Sequence, residues 1–358
     1  MKTLLPTIAT TLLVLALYNV SQAKCAQNTV KVFILAGQSN MVGQASNKLL
    51  EHQATAPKTK KVFAHLRKDG KWVVRNDVFI KFFERHGGLT IGYGQRGHTG
   101  PALQFGTVVG DHFDEPVLII KTAWGGHSLY RDFRPPSAGL PSEEKLKAQL
   151  EQAQKRVLQR NKQRKRNDPL PTMKDITAGY GKTYRMMIEE IENTLENYEK
   201  LFPKLKGKKL EVAGFVWFQG WNDQYNGAET EYAANMKFFI KDVRKDLKAP
   251  NMPVVIAMMG QNGSTPAKGA MLTIQQAQAS METITEFKGN VKAFRTDVLV
   301  DKAAEELYPM WRQRFKEWEL IGSDHRYHYL GSAIWFHRIG QAMGKNILEL
   351  MGQTTSKN

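Results

Sequence analysis

Four short apolar runs, each closed by glycine, set the architecture of this chain. Residues 30–36 (VKVFILA) stop at Gly37, and residues 116–122 (PVLIIKT) run into Gly125-Gly126. Residues 212–218 (VAGFVWF) end at Gly220, and residues 253–259 (PVVIAMM) end at Gly260. Residues 291–298 form a weaker fifth run. Runs that are apolar on both faces and rich in β-branched residues belong in a parallel sheet covered on both sides. Helical stretches separate them, at residues 103–113, 182–201, 229–247, 274–284 and 332–350. This alternation predicts an α/β fold, a three-layer α/β/α sandwich. Functional groups of such sheets gather at the carboxyl ends of the strands, where the polar, glycine-rich clusters of this chain fall.

Charge narrows the partners. Lys and Arg number 51 against 34 Asp and Glu, a net +17. That excess favours acidic partners: nucleic acid, anionic lipid or an anionic polysaccharide. The N-terminus selects among them. Met1-Lys2 is followed by an almost uncharged apolar run over residues 4–20, and Ser21-Gln22-Ala23 supplies small residues where a signal peptidase reads. The run is short for a membrane span and contains Pro6. Residues 1–23 are therefore expected to be a signal peptide cleaved near Ala23-Lys24, giving a secreted or periplasmic protein without stable membrane insertion. An exported protein rarely meets nucleic acid, so an anionic glycan is the better partner for the charge. The single cysteine, Cys25, excludes an intrachain disulfide and any multi-cysteine metal cluster.

Residues 24–358 read as one domain carrying a basic helical insertion at about 141–180. Residues 143–170 hold nine Lys or Arg against four Asp or Glu, and residues 155–166 (KRVLQRNKQRKR) have seven basic residues and no acidic one. The plain reading is a solvated helix; the sharper one is an arm that grips a polyanion.

Four clusters carry chemistry. Gly37-Gln38-Ser39-Asn40-Met41 follows the first strand, where a serine is exposed and its own backbone N–H can face a site. Trp124-Gly125-Gly126-His127-Ser128 places glycines at a strand end, so that a backbone N–H can approach a substrate oxygen. Trp217-Phe218-Gln219-Gly220-Trp221-Asn222-Asp223 offers an asparagine whose NH₂ can meet a developing oxyanion. Trp221 can stack on a sugar, while Trp217 is better suited to the core. Ser323-Asp324-His325-Arg326-Tyr327-His328 sets a carboxylate near two histidines, one of which it can orient through Nδ1–H. Each cluster alone is also a common turn.

Together and in this order they resemble the SGNH (GDSL-type) hydrolase superfamily, and within it the sialate O-acetylesterase-like carbohydrate esterases close to carbohydrate esterase family 6. The resemblance runs from Phe33-Ile-Leu-Ala-Gly-Gln-Ser-Asn-Met41 to Tyr327-His-Tyr-Leu-Gly-Ser-Ala333. It implies a flavodoxin-like parallel five-stranded sheet and no metal or other cofactor. It implies Ser39 as nucleophile, His328 as base and acid, and Asp324 as the orienting carboxylate. The implied oxyanion hole is the Ser39 N–H, the Gly126 N–H and the Asn222 side chain. Gln38, Gln219, Trp221 and His127 are the candidate substrate contacts beside it.

One departure stands out. The family's last block is Asp-x-x-His, whereas here Asp324 precedes His328 by four positions. His325 is the competing base, Asp297 and Asp301 are reserve carboxylates, and a Ser-His dyad stays open. His337, inside the last helix, is expected to be structural, and His98 and His112 to be ordinary. The expected activity is removal of O-acetyl groups from carbohydrates. Two alternatives remain: an esterase or lipase for non-sugar esters, and a catalytically weak binder of polyanionic glycans.

Overall fold

The computed structural model describes residues 28–352; the expected signal peptide and Cys25 lie outside the described residues. One sheet contains seven strands: β1 (Thr29–Gly37), β2 (Val78–Phe82), β3 (Arg85–Gly88), β4 (Val117–Ala123), β5 (Lys209–Phe218), β6 (Val254–Met258) and β7 (Val291–Arg295). Their order is β7-β6-β5-β1-β4-β2-β3. The five expected runs lie side by side as β7-β6-β5-β1-β4, all parallel. The sequence reading missed β2, which adds in parallel to β4, and β3, which turns back antiparallel at the edge.

Seven helices matter for the site: α1 (Ser39–Val42), α2 (Ala102–His112), α3 (Glu143–Arg164), α4 (Lys182–Leu201), α5 (Tyr232–Asp246), α6 (Gly269–Ser280) and α7 (Ala333–Leu350). β1 shows why the sheet needs cover on both sides. Val30, Val32, Ile34 and Ala36 point into a core shared with α4, α5 and α6. Phe33 and Leu35 point the other way, into a core shared with α2 and α7. All six are completely buried. Helices α2 and α7 can cross closely because Gly340 lacks a side chain: a Cβ there would lie 2.2 Å from the Pro101 carbonyl oxygen. Helix α5 begins later than the expected residue 229, because residues Ala228–Glu231 form a 3-10 turn first. Helix α6 runs upstream of the expected 274–284 span, ending where Met281–Thr283 tightens into a 3-10 turn.

The basic insertion is the 22-residue helix α3, capped by Ser142, whose side chain accepts from the Lys145 N–H. Leu146 is its only buried residue. A small cluster of Leu146, Ile176 and Tyr180 seats its first turns. No helix among the described residues is long and apolar enough to cross a membrane.

Register explains where the polar clusters go. Gly37 at the end of β1 pairs with Ala123 of β4 on one side and Phe218 of β5 on the other. Three neighbouring parallel strands thus end level, and the chain leaves each of them into one of the first three clusters.

Candidate active site

The serine block turns sharply at Gly37, whose φ is +154° and whose Cβ, if present, would lie 2.1 Å from the Phe218 carbonyl oxygen. Only glycine fits such an approach. Ser39 then opens α1 and is 8% exposed. Its hydroxyl makes no hydrogen bond with any described residue, His328 included, so it is uncommitted. Catalytic hydrogen bonds are often long in free enzymes and tighten with substrate. Gln38 is 2% exposed, and its Oε1 accepts from the Gly220 N–H at 3.1 Å, pinning the first cluster to the third. Asn40, also 2% exposed, donates from Nδ2 to the Tyr327 carbonyl at 3.2 Å and so draws the serine turn against the last block.

The second and third clusters interlock. Asn222 donates from Nδ2 to the Gly126 carbonyl at 2.5 Å, which leaves its second amide hydrogen for another acceptor. A Cβ on Gly125 would stand 3.8 Å from the Ser39 Cβ, so this loop lies directly against the serine. Behind it Asp223 is fully buried and accepts from the Leu129 N–H at 2.8 Å, the Tyr130 N–H at 2.7 Å and Gln219 Nε2 at 2.6 Å. Burial pushes its carboxyl up to about 7, while these three donors pull the other way. The sequence reading missed this role, although Asp223 directly follows Asn222. Gln219, expected to touch substrate, is 3% exposed and fully engaged. Its Nε2 also reaches the His127 carbonyl at 3.0 Å, and its Oε1 accepts from the Tyr232 hydroxyl at 3.1 Å. It braces the loop from inside, because Tyr232 and Gln278 close over it. His127 is half-buried, with Nδ1 2.7 Å from the Thr183 hydroxyl. Trp221 is half-buried with its ring 6.1 Å from that of Tyr327, forming an aromatic rim between Asn222 and His328. Trp217 is core, fully buried against Phe133 and Phe239.

In the last block the two histidines part. His328 Nδ1 lies 2.8 Å from Asp324 Oδ2. His325 Nδ1 instead faces the Tyr308 hydroxyl at 3.3 Å, its ring edge-on to Trp311. Asp324 Oδ1 accepts the His325 backbone N–H at 2.7 Å. Burial alone would raise the Asp324 carboxyl, but the His328 ring and that backbone N–H outweigh it and hold it below the usual carboxylate range. The reserve carboxylates are engaged elsewhere: Asp297 pairs with Arg295 at 2.5 Å, and Asp301 accepts from the Ser332 hydroxyl at 2.6 Å. His337 packs between Phe63 and His65, and burial pushes its imidazole down to about 3. His98 Nδ1 lies 3.0 Å from the Arg96 carbonyl oxygen. The block is anchored by Tyr329, whose hydroxyl accepts from the Gly260 N–H at 2.9 Å. Among the described residues, no three His, Cys, Asp or Glu side chains are grouped to hold a metal ion.

A carboxylate, an imidazole and an uncommitted serine beside amide donors can perform acyl transfer. Residues 29–303 match the family described as carbohydrate esterase, sialic acid-specific acetylesterase. The chain belongs to that family. It is therefore a carboxylic ester hydrolase of the carbohydrate acetylesterase kind. Among solved structures, a protein from Arabidopsis thaliana is similar at 15% identity with a TM-score of 0.50, covering 90% of this chain and 98% of its own. A carbohydrate acetylesterase from Xanthomonas citri is 13% identical with a TM-score of 0.46, over 90% of this chain and 57% of that one. A protein named NanS is also 13% identical, with a TM-score of 0.42, over 76% of this chain and 78% of that one. No curated protein matches the sequence.

Proposed function

We propose that this acetylesterase is an exported serine enzyme that removes O-acetyl groups from carbohydrates through an acyl-enzyme. The observation that carries the triad is the 2.8 Å contact between His328 Nδ1 and Asp324 Oδ2, in a block tied to the serine turn through Asn40. Asp324 fixes the imidazole with its proton on Nδ1, which leaves Nε2 to take the Ser39 proton. Ser39 Oγ attacks the acetyl carbonyl carbon. The oxyanion that forms accepts hydrogen bonds from the Ser39 N–H, the Gly126 N–H and the second Nδ2 hydrogen of Asn222. His328 then returns the proton to the departing sugar oxygen. Water, deprotonated by the same Nε2, releases acetate and restores Ser39.

Trp221 and Tyr327 suit the face of a sugar ring. Export is supported by the character of residues 1–23, and an acidic glycan by the net charge of +17. The decisive experiment uses mature protein and its Ser39→Ala variant on para-nitrophenyl acetate, para-nitrophenyl decanoate and acetylated glycans. Hydrolysis of the acetyl esters only, lost in Ser39→Ala with the melting temperature preserved, is the expected result. Full activity in Ser39→Ala, or a preference for decanoate, refutes the assignment.

A further inference from the structure

Asp223 is a fully buried ionisable group that the acyl-transfer steps leave unused. It directly follows Asn222 and sits where the second and third clusters meet. Its Oδ2 accepts from the Leu129 N–H at 2.8 Å and from Gln219 Nε2 at 2.6 Å, and its Oδ1 accepts from the Tyr130 N–H at 2.7 Å. Leu129 and Tyr130 continue the loop that carries Gly126, and Asn222 Nδ2 donates to the Gly126 carbonyl. Gln219 Nε2 reaches the same loop at the His127 carbonyl, 3.0 Å away. One carboxylate therefore ties the turn that presents Asn222 to the loop that presents the Gly126 N–H.

The three partners of this carboxylate are all uncharged donors. Its ionisable neighbours are turned elsewhere. Asp132, on the same loop, is held by the Ser128 N–H and hydroxyl at 2.8 and 3.0 Å. Arg131 lies over the Tyr180 ring, and Arg134 pairs with Glu231 at 3.1 Å. His127 turns its Nδ1 to Thr183 of α4, and the Tyr232 hydroxyl of α5 donates to Gln219. Burial lifts the Asp223 carboxyl to about 7 against the pull of its donors, and the Asp132 carboxylate adds to the rise.

A protonated Asp223 does not fit these partners. Its O–H needs an acceptor, and donors surround it. Gln219 can supply one only by turning its amide over. Its Oε1 would then face the His127 carbonyl oxygen. Its Nε2 would face the Tyr232 hydroxyl, whose oxygen already accepts from Trp217 Nε1 at 3.2 Å and Gln278 Nε2 at 3.1 Å. Either a buried proton stays unpaired, or the brace on the oxyanion loop is released.

We propose that Asp223 is the positioning residue of the oxyanion hole: its ionised form holds the Gly126 and Asn222 donors together, and its protonated form lets them part. It touches no reacting atom and acts through those two donors. Asparagine, neutral with one acceptor and one donor end, is a permanent mimic of the protonated acid. Asp223→Asn should lower kcat on para-nitrophenyl acetate about a hundredfold at pH 8, with little change in KM, as loss of an oxyanion donor does. The gap should close in acid. With a carboxyl at about 7, wild type is about 1% ionised at pH 5, and the two enzymes should then differ by only a few-fold. Proton binding at His328 is common to both and cancels in the ratio. A merely structural loss would keep the ratio constant from pH 5 to 8. A constant ratio, or a variant within threefold of wild type at pH 8, overturns the inference.

The inference rests on the oxyanion reading of Gly126 and Asn222, so a second arm needs neither turnover nor a folded variant. The backbone amides of Leu129 and Tyr130 are followed by nuclear magnetic resonance in wild type, labelled with ¹⁵N at Leu and Tyr. Both should shift together with a midpoint near pH 7. If no ester is turned over, the esterase reading falls alone, and this shared titration still supports Asp223 as the pH-dependent tie of the loop. Amides that stay unmoved between pH 5 and 8 overturn it.

Discussion

Replacing Asp324 by Asn tests the geometry of the last block most directly. The two carboxylate oxygens do different things: Oδ2 faces His328 Nδ1 at 2.8 Å, and Oδ1 accepts the His325 N–H at 2.7 Å. An amide has one oxygen. If it stays with the His325 N–H, its NH₂ faces His328 and forces the ring proton onto Nε2, where it blocks proton abstraction from Ser39. The lost electrostatics can be sized too. Both charges are spread over small groups, so their centres lie about 4 Å apart, and at an effective dielectric of about 20 the attraction is about 4 kcal/mol. Side-chain exposures of 20% for His328 and 24% for Asp324 justify an intermediate dielectric. At about 1.4 kcal/mol per decade, the imidazolium of the transition state loses a factor of about 10³. Asp324→Asn should therefore lower kcat on para-nitrophenyl acetate by about 10³–10⁴, the larger value including the wrong tautomer. His325→Ala, whose ring faces Tyr308 and Trp311, should cost only a few-fold. The assay is steady-state kinetics on variants shown to be folded by circular dichroism. An Asp324→Asn enzyme within tenfold of wild type, or a His325→Ala enzyme weaker than it, refutes the reasoning and leaves a Ser-His dyad or another base.

Asn222→Ala should lower kcat by about 10²–10³ with little change in KM, because the donor acts on the transition state; a change confined to KM would make Asn222 a substrate contact. The depressed imidazole of His337, about 3 in the folded chain against 6.5 unperturbed, gives a signed pH effect. Its stability contribution is complete above pH 6.5 and is lost as pH falls towards 3, by about 3 kcal/mol at about pH 4. His337→Phe should shrink the fall in denaturation midpoint between pH 7 and 4, and an unchanged fall would acquit the residue. For the exposed helix α3, replacing the seven basic residues between 155 and 166 with Gln should abolish the salt dependence of binding to an acidic acetylated polymer. Polymer binding that responds to salt as before would leave α3 a merely solvated helix.

The strands were legible because each is a dense apolar run stopped by glycine, and two-faced burial leaves no other place for such runs. The hairpin of β2 and β3 was not. Arg85-His86-Gly87-Gly88 has no apolar pattern, and Phe83-Glu84 is not a turn signature, so nothing in the sequence marks that strand, which is held by backbone pairing to β2 and by Arg85 and His86 reaching residues distant from the hairpin. Ser39, Asn222 and His328 were legible as short polar motifs at strand or helix ends. Residues that act across the fold were not. Lys121 sits in a strand whose neighbours look wholly apolar, yet it reaches a carbonyl 79 positions away. Asp223 holds backbone amides 93 and 94 positions distant. Gln219 was misread because a glutamine beside a strand-end glycine looks exposed until α5 and α6 are packed over it.

The backbone around His328 has a consequence for how such sequences drift. Tyr329 and Leu330 both have positive φ, +52° and +61°, and the Leu330 carbonyl gathers the N–H groups of Ser323 and Asp324 at 3.0 and 3.1 Å. The segment is a closed knot of turns rather than a length of helix. In a helix, one inserted residue swings everything after it by about 100° and would carry an imidazole away from its carboxylate. A loop pinned at both ends takes up the extra residue in its own torsions, and the contact reforms. The number of residues between the acid and the histidine is therefore free to vary in evolution while the interatomic distance is not. A search pattern that fixes this count at two, as Asp-x-x-His does, would pass over chains that keep the contact between acid and histidine.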